Sequence, residues 1–84
     1  MDYQFTTCAF RQLQELPPPV QKRILEKLDF YCRQKEPLRF ADRLTDFRLG
    51  TYRFRIGEYR VICDLEAEET LLVLLVGHRK EIYR

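Results

Sequence analysis

The sequence is short of chain, of paired cysteines and of long apolar runs, and each shortage excludes something. With 84 residues there is room for one domain, 1–84, and no more. A chain of that length must also make its core efficiently. Three cysteines, Cys8, Cys32 and Cys63, are an odd number with no two close together. That argues against a disulfide framework and for a reducing, cytoplasmic setting. A zinc site built from them and His78 lacks any CxxC or HxxxH spacing. The longest apolar run, Leu71 to Val76, is far too short to span a bilayer. Residues 1–16 alternate polar and apolar and lack a small-residue cleavage site, so no secretory leader is expected. Repeats and low-complexity tails are absent.

Net charge is only +2, and its distribution says more than its size. Arg48, Arg53, Arg55 and Arg60 lie in a stretch with one acid, Glu58, before the acidic knot of Glu66, Glu68 and Glu69. Such a pairing fits a domain with one anion-binding surface. Two solvated faces would give the same pattern.

The chain divides into a helical half and a strand-like half. Tyr3 and Phe5 alternate with polar neighbours over 2–6, and Thr6 or Thr7 can cap a short helix carrying Phe10 and Leu13 on one side. Pro17, Pro18 and Pro19 stop it, and the last of them suits the first turn of a second helix reaching about Lys35. In that helix Val20, Ile24, Leu28, Tyr31 and Cys32 form an apolar stripe. The short proline connection predicts an antiparallel helix hairpin. Pro37 ends it, and Phe40, Leu44, Phe47 and Leu49 of the 36–50 connector are expected to cover an end of the core. Strands are expected over 51–57, 59–65 and 70–76, the last buried on both faces. The whole reads as α+β: an N-terminal strand and a two-helix hairpin packed on one face of a mostly antiparallel sheet of about four strands.

The hairpin between the first two long strands carries most information. Gly57–Glu58 suits a two-residue turn with glycine first. Register then follows: Ile56 faces Tyr59, Arg55 faces Arg60, Phe54 faces Val61 and Arg53 faces Ile62. Tyr52, Phe54, Ile56, Tyr59, Val61 and Cys63 share one face, and Arg53, Arg55 and Arg60 the other. Like charges directly opposite are destabilising. They make sense if an anion binds between them, and arginine's planar fork suits phosphate. The alternative is that the arginines splay into solvent or pair with Asp64 or Asp46. His78, Arg79 and Tyr83 can approach this face if the tail turns back over the sheet.

The segments YRFRIGEYRVI and VGHRKEIY, with the LPPPVQKRILEKL helix before them, resemble RelE-type toxins of type II toxin–antitoxin systems in the RelE/ParE superfamily, over essentially the whole chain. That resemblance implies a single toxin domain with a fold like microbial ribonucleases. It implies a ribosome-dependent endonuclease that cleaves messenger RNA in the ribosomal A site, and a cognate antitoxin as partner. Family working groups map onto Arg53 and Arg55 as RNA-binding residues, with Arg48 and Lys80 counted beside them. Arg60, Arg79 and Tyr83 map as catalytic residues. Some members carry lysine where Arg53 and Arg55 stand, and arginine cannot release a proton.

The implied reaction is attack by a ribose 2′-hydroxyl on the adjacent phosphorus. Preorganised cations would stabilise the charge that develops. Histidine is the one side-chain type that titrates near neutrality unaided, so His78 joins the catalytic set. The only acid expected near the arginines is Asp64, which leaves no magnesium site. No metal, small-molecule cofactor or membrane is called for. Two other readings stay open. One is a ParE-like inhibitor of DNA gyrase, the other a degenerate toxin that only binds its antitoxin and regulates transcription.

Overall fold

The computed structural model describes residues 1–45, 48–67 and 69–82. Five strands form one sheet in the order β1-β5-β4-β3-β2: β1 Asp2–Phe5, β2 Asp42–Arg43, β3 Tyr52–Ile56, β4 Tyr59–Ala67 and β5 Thr70–His78. β1 pairs parallel with β5, and the other pairings are antiparallel. Among the described residues the sheet therefore has five strands, against an expectation of about four. β2 is two residues long and carries no alternation, which is why sequence gives no sign of it.

Both helices form where caps and prolines place them. α1 spans Thr7–Gln14, with Thr6 Oγ1 accepting from the Ala9 N–H at 3.1 Å. α2 spans Pro18–Arg33, and its first turn takes two prolines because no N–H is needed there. Their stripes meet one face of the sheet. Ala9, Leu13, Ile24, Leu28, Tyr31 and Cys32 pack on Phe54, Ile56, Val61, Cys63, Leu71, Val73 and Val76. Tyr31 stacks on Phe54 with ring centroids 4.9 Å apart and on Phe40 at 5.2 Å. Fully buried side chains such as Ile24, Leu28 and Phe54 each contribute about 1.5–3 kcal/mol.

The connector covers the core in part as expected. Phe40 stacks on Tyr31 but stays about half exposed, and Phe47 lies outside the described residues. The segment ending at Gly50 covers the opposite sheet face. Ile62 is fully buried yet stands apart from the helix-side core, and a Cβ on Gly50 would lie 2.6 Å from its Cγ2. β5 is likewise buried fully on one face only. Leu72, Leu74 and Leu75 are partly exposed, because α1 and α2 pack on the face of Leu71, Val73 and Val76.

Beyond Val73, β5 has no β1 beside it, since β1 pairs only with Thr70–Val73. Gln12 of α1 fills in: its Oε1 accepts from the Val76 N–H at 2.8 Å. An edge amide that would otherwise be stranded beneath α1 is thereby satisfied.

Candidate functional site

β3 and β4 pair in the register that the turn dictates, with Arg55 opposite Arg60 and Arg53 opposite Ile62. Gly57 has φ +61, and among the described residues no non-glycine has a positive φ, so Glu58 takes the second turn position without strain. Phe54, Ile56 and Val61 point to the helices. Alternation then sends Arg53, Arg55 and Arg60 to the other face.

The tail follows them. The Arg79 N–H donates to the Glu58 carbonyl at 2.8 Å, tying residue 79 to the hairpin turn. Gly77 is paired with Arg60, and a Cβ there would come within 3.3 Å of Ile82 Cδ1. Ile82 thus lies over the arginine side, and the tail folds back across it. Tyr83 lies outside the described residues. Lys80 is exposed in the tail turn, and Arg48 is exposed in the turn before Gly50.

The charge pattern differs from an open cluster of cations. Asp42 Oδ2 lies 3.0 Å from both Arg53 Nη2 and Arg55 Nε. Arg60 Nη1 donates to the carbonyls of Gly57 and Tyr59, each at 2.9 Å. Arg79 approaches Glu58 at 3.9 Å. Pairing of these arginines with carboxylates is therefore real, and among the described residues the carboxylates are those of Asp42 and Glu58. Asp64 Oδ1 accepts from both the Thr51 N–H and the Thr51 hydroxyl at 2.8 Å. Asp46 lies outside the described residues. The expectation that Asp64 is the only acid near the arginines is corrected: Asp42 and Glu58 are both there. Among the described residues no three His, Cys, Asp or Glu side chains gather as metal ligands would.

His78 sits at the border of this region. It pairs with Tyr59, which packs toward the helix-side core, so its register face is not that of Arg60. The two rings meet edge to face at 5.5 Å. His78 Nδ1 accepts from the Lys80 N–H at 3.1 Å, and Nε2 lies 3.6 Å from Glu58. An accepting Nδ1 places the ring proton on Nε2, toward the carboxylate. Locally, the imidazole caps the tail turn.

Three contributors were missed by sequence reasoning. Asp42 comes from an unsignalled strand. Glu58 had a place in the turn and in the arginine stretch but no assigned partner. Arg23 of α2 reaches the hairpin tip, where its guanidinium would meet a Cβ on Gly57 at 3.0–3.2 Å. Its sequence signal was that of any exposed helical cation. The thiols are separate from the site. Cys63 is buried and its pKa is pushed up to about 12, chiefly by that burial, while Cys8 is exposed.

The family model for the ParE toxin of type II toxin–antitoxin systems (parDE) matches residues 3–83. Toxin RelG of Mycobacterium tuberculosis (strain ATCC 25618 / H37Rv) is 40% identical over 81 residues, covering 95% of this chain and 92% of the relative. A crystal structure of the RelBE2 toxin–antitoxin complex from Mycobacterium tuberculosis superimposes with TM-score 0.76 at 35% identity, covering 93% of this chain and 96% of that one. The RelB–RelE antitoxin–toxin complex from Methanococcus jannaschii gives TM-score 0.66 at 24% identity over 94% and 93%, a likeness of fold.

Proposed function

This chain belongs to the RelE/ParE superfamily of toxins from type II toxin–antitoxin systems and is of the RelE type, and from that premise we propose that it cuts messenger RNA in the ribosomal A site and so stops translation. The observation that carries the reading is the arginine face: Arg53, Arg55 and Arg60 on one side of the hairpin, away from the helices, with the Arg79 backbone bonded to the hairpin turn. Such a face suits a chain of phosphates better than any apolar ligand.

In this reading Arg53 and Arg55 hold the RNA backbone, with Arg48 and Lys80 as outer contacts. Arg60 and Arg79 stabilise the charge on phosphorus as the message's own 2′-hydroxyl attacks it. The O–P bond to the 5′-oxygen breaks, leaving a 2′,3′-cyclic phosphate and a 5′-hydroxyl. Tyr83 and His78 complete the catalytic set. The ribosome supplies the positioning that a small, open site lacks. Residues 1–84 act as one toxin domain in the cytoplasm. A cognate antitoxin restrains it by covering or distorting the arginine face, as toxin–antitoxin pairing in the similar complexes suggests. An antitoxin complex that cleaved at the full rate would contradict that last point.

The test uses purified ribosomes programmed with a message and analyses product ends. Cleavage that leaves a 5′-hydroxyl, and survival of a message carrying 2′-O-methyl at the cut site, are expected. A 5′-phosphate product, or cleavage of the blocked message, would mean water attacked instead. A second reading, inhibition of DNA gyrase, is favoured by the ParE description of the matching family model. Gyrase-linked DNA damage with intact messages on induction would select it.

A further inference from the structure

Asp42 sits between two of the arginines. Its Oδ2 is 3.0 Å from Arg53 Nη2, 3.3 Å from Arg53 Nε and 3.0 Å from Arg55 Nε. Two guanidinium groups converging on one oxyanion is the geometry that arginines offer a phosphate oxygen. The backbone enforces it: Asp42 pairs directly with Arg53 across β2 and β3, so both side chains leave the same face. The Asp42–Arg55 side of the cluster is open to water, with 36% of the Asp42 side chain and 61% of the Arg55 side chain exposed, while Arg53 is 28% exposed. A pair so exposed adds little to stability, and an anion from outside can compete for the same donors.

We propose that Asp42 is an internal counter-anion occupying the phosphate position of the arginine face, so that RNA must displace it to bind. The inference rests on the reading of that face as the RNA site. The face carries its own brake, and its affinity for RNA is set partly by a carboxylate that never touches the substrate. While Asp42 is engaged, Arg53 and Arg55 cannot give those same N–H groups to a phosphate. Apparent affinity then falls in proportion to the fraction of molecules in which the latch is open. The same contact answers the like-charge puzzle. Arg55 is drawn toward β2 while Arg60 folds onto the turn carbonyls, and the resting protein tolerates both.

The experiment measures binding of a short single-stranded RNA with 2′-O-methyl sugars, so that nothing is cut, to the free toxin. Asp42→Asn keeps size and a carbonyl acceptor while removing the charge, and should bind roughly tenfold more tightly at low salt, the gain shrinking as salt rises. Asp42→Ala should behave alike, and circular dichroism identifies a variant that fails to fold. Glu26→Gln, on the exposed side of α2 beside Lys22, changes net charge equally and should leave affinity near wild type. Adding Arg55→Ala to Asp42→Asn should remove most of the gain. An equal gain from Glu26→Gln, or no gain from either folded Asp42 variant, overturns the latch. If Arg53→Ala and Arg55→Ala weaken binding while Asp42→Asn does not strengthen it, the RNA face stands and the latch falls. If the arginine variants bind as wild type, the RNA face itself falls and takes the latch with it.

Discussion

Arg55 and Arg60 stand directly opposite each other across β3 and β4, yet each guanidinium is held by a different acceptor: Arg55 by Asp42 at 3.0 Å, Arg60 by the Gly57 and Tyr59 carbonyls at 2.9 Å. A pair that would repel on a bare strand is separated by two local anchors. Neither anchor is a deep structural bond, and that shapes what substitution should do.

Arg60→Ala and Arg79→Ala should abolish growth inhibition on induction while leaving the fold intact. Among the described residues Arg60 bonds to exposed or partly exposed carbonyls, and Arg79 meets Glu58 at 3.9 Å with half its side chain in water. Surface contacts of this kind contribute little, so unfolding free energy should stay within about 0.5 kcal/mol of wild type. A growth assay paired with urea denaturation checks both halves. Loss of toxicity through unfolding would make these residues structural.

The two positive-φ glycines should differ in cost. Gly57→Ala places a side chain at φ +61, about 1–2 kcal/mol of strain, and the nearest atoms it meets belong to the movable Arg23 guanidinium. Gly50→Ala sits at φ +143, and its Cβ would lie 2.6 Å from Ile62 Cγ2 and 3.3 Å from the Cys63 carbonyl oxygen. Strain and overpacking add there, so about 3 kcal/mol or more should be lost. Denaturant midpoints of the two variants measure the difference, and equal midpoints would refute the packing of the 48–51 segment on the far face.

Stability should fall on the alkaline side. Burial, with smaller contributions from Cys32 and Asp64, pushes the Cys63 thiol from its ordinary 9.0 up to about 12. Between those values the unfolded chain has lost a proton that the native state keeps, so ν is smaller for the unfolded state and unfolding becomes easier as pH rises. The contribution is complete below pH 9 and is lost toward pH 12, at up to about 1.4 kcal/mol per pH unit. Buried Cys32 and Tyr31 shift the same way. Cys63→Ala should flatten part of this limb in urea melts taken over a pH series, and an unchanged slope would rule out the Cys63 thiol as its source.

The hairpin face, its register and the turn were legible in the sequence because each is a local consequence of chain geometry. A side-chain period of two and a two-residue Gly57–Glu58 turn leave one pairing. The helix stripe through Ile24, Leu28, Tyr31 and Cys32 was legible for the same reason, its period matching one face. What only tertiary structure decided is which acceptor each polar side chain finds. Asp42 meets Arg53 and Arg55 because a two-residue strand, too short to leave a pattern, closes against β3. Gln12 meets the Val76 N–H across 64 positions because β1 stops at Phe5 and leaves that edge open. Glu58 meets Arg79 and His78 because the tail is bonded to the hairpin turn. Backbone propensity and periodicity set where side chains emerge. Long polar side chains then choose among acceptors brought near by chain closure, and that choice is made in three dimensions.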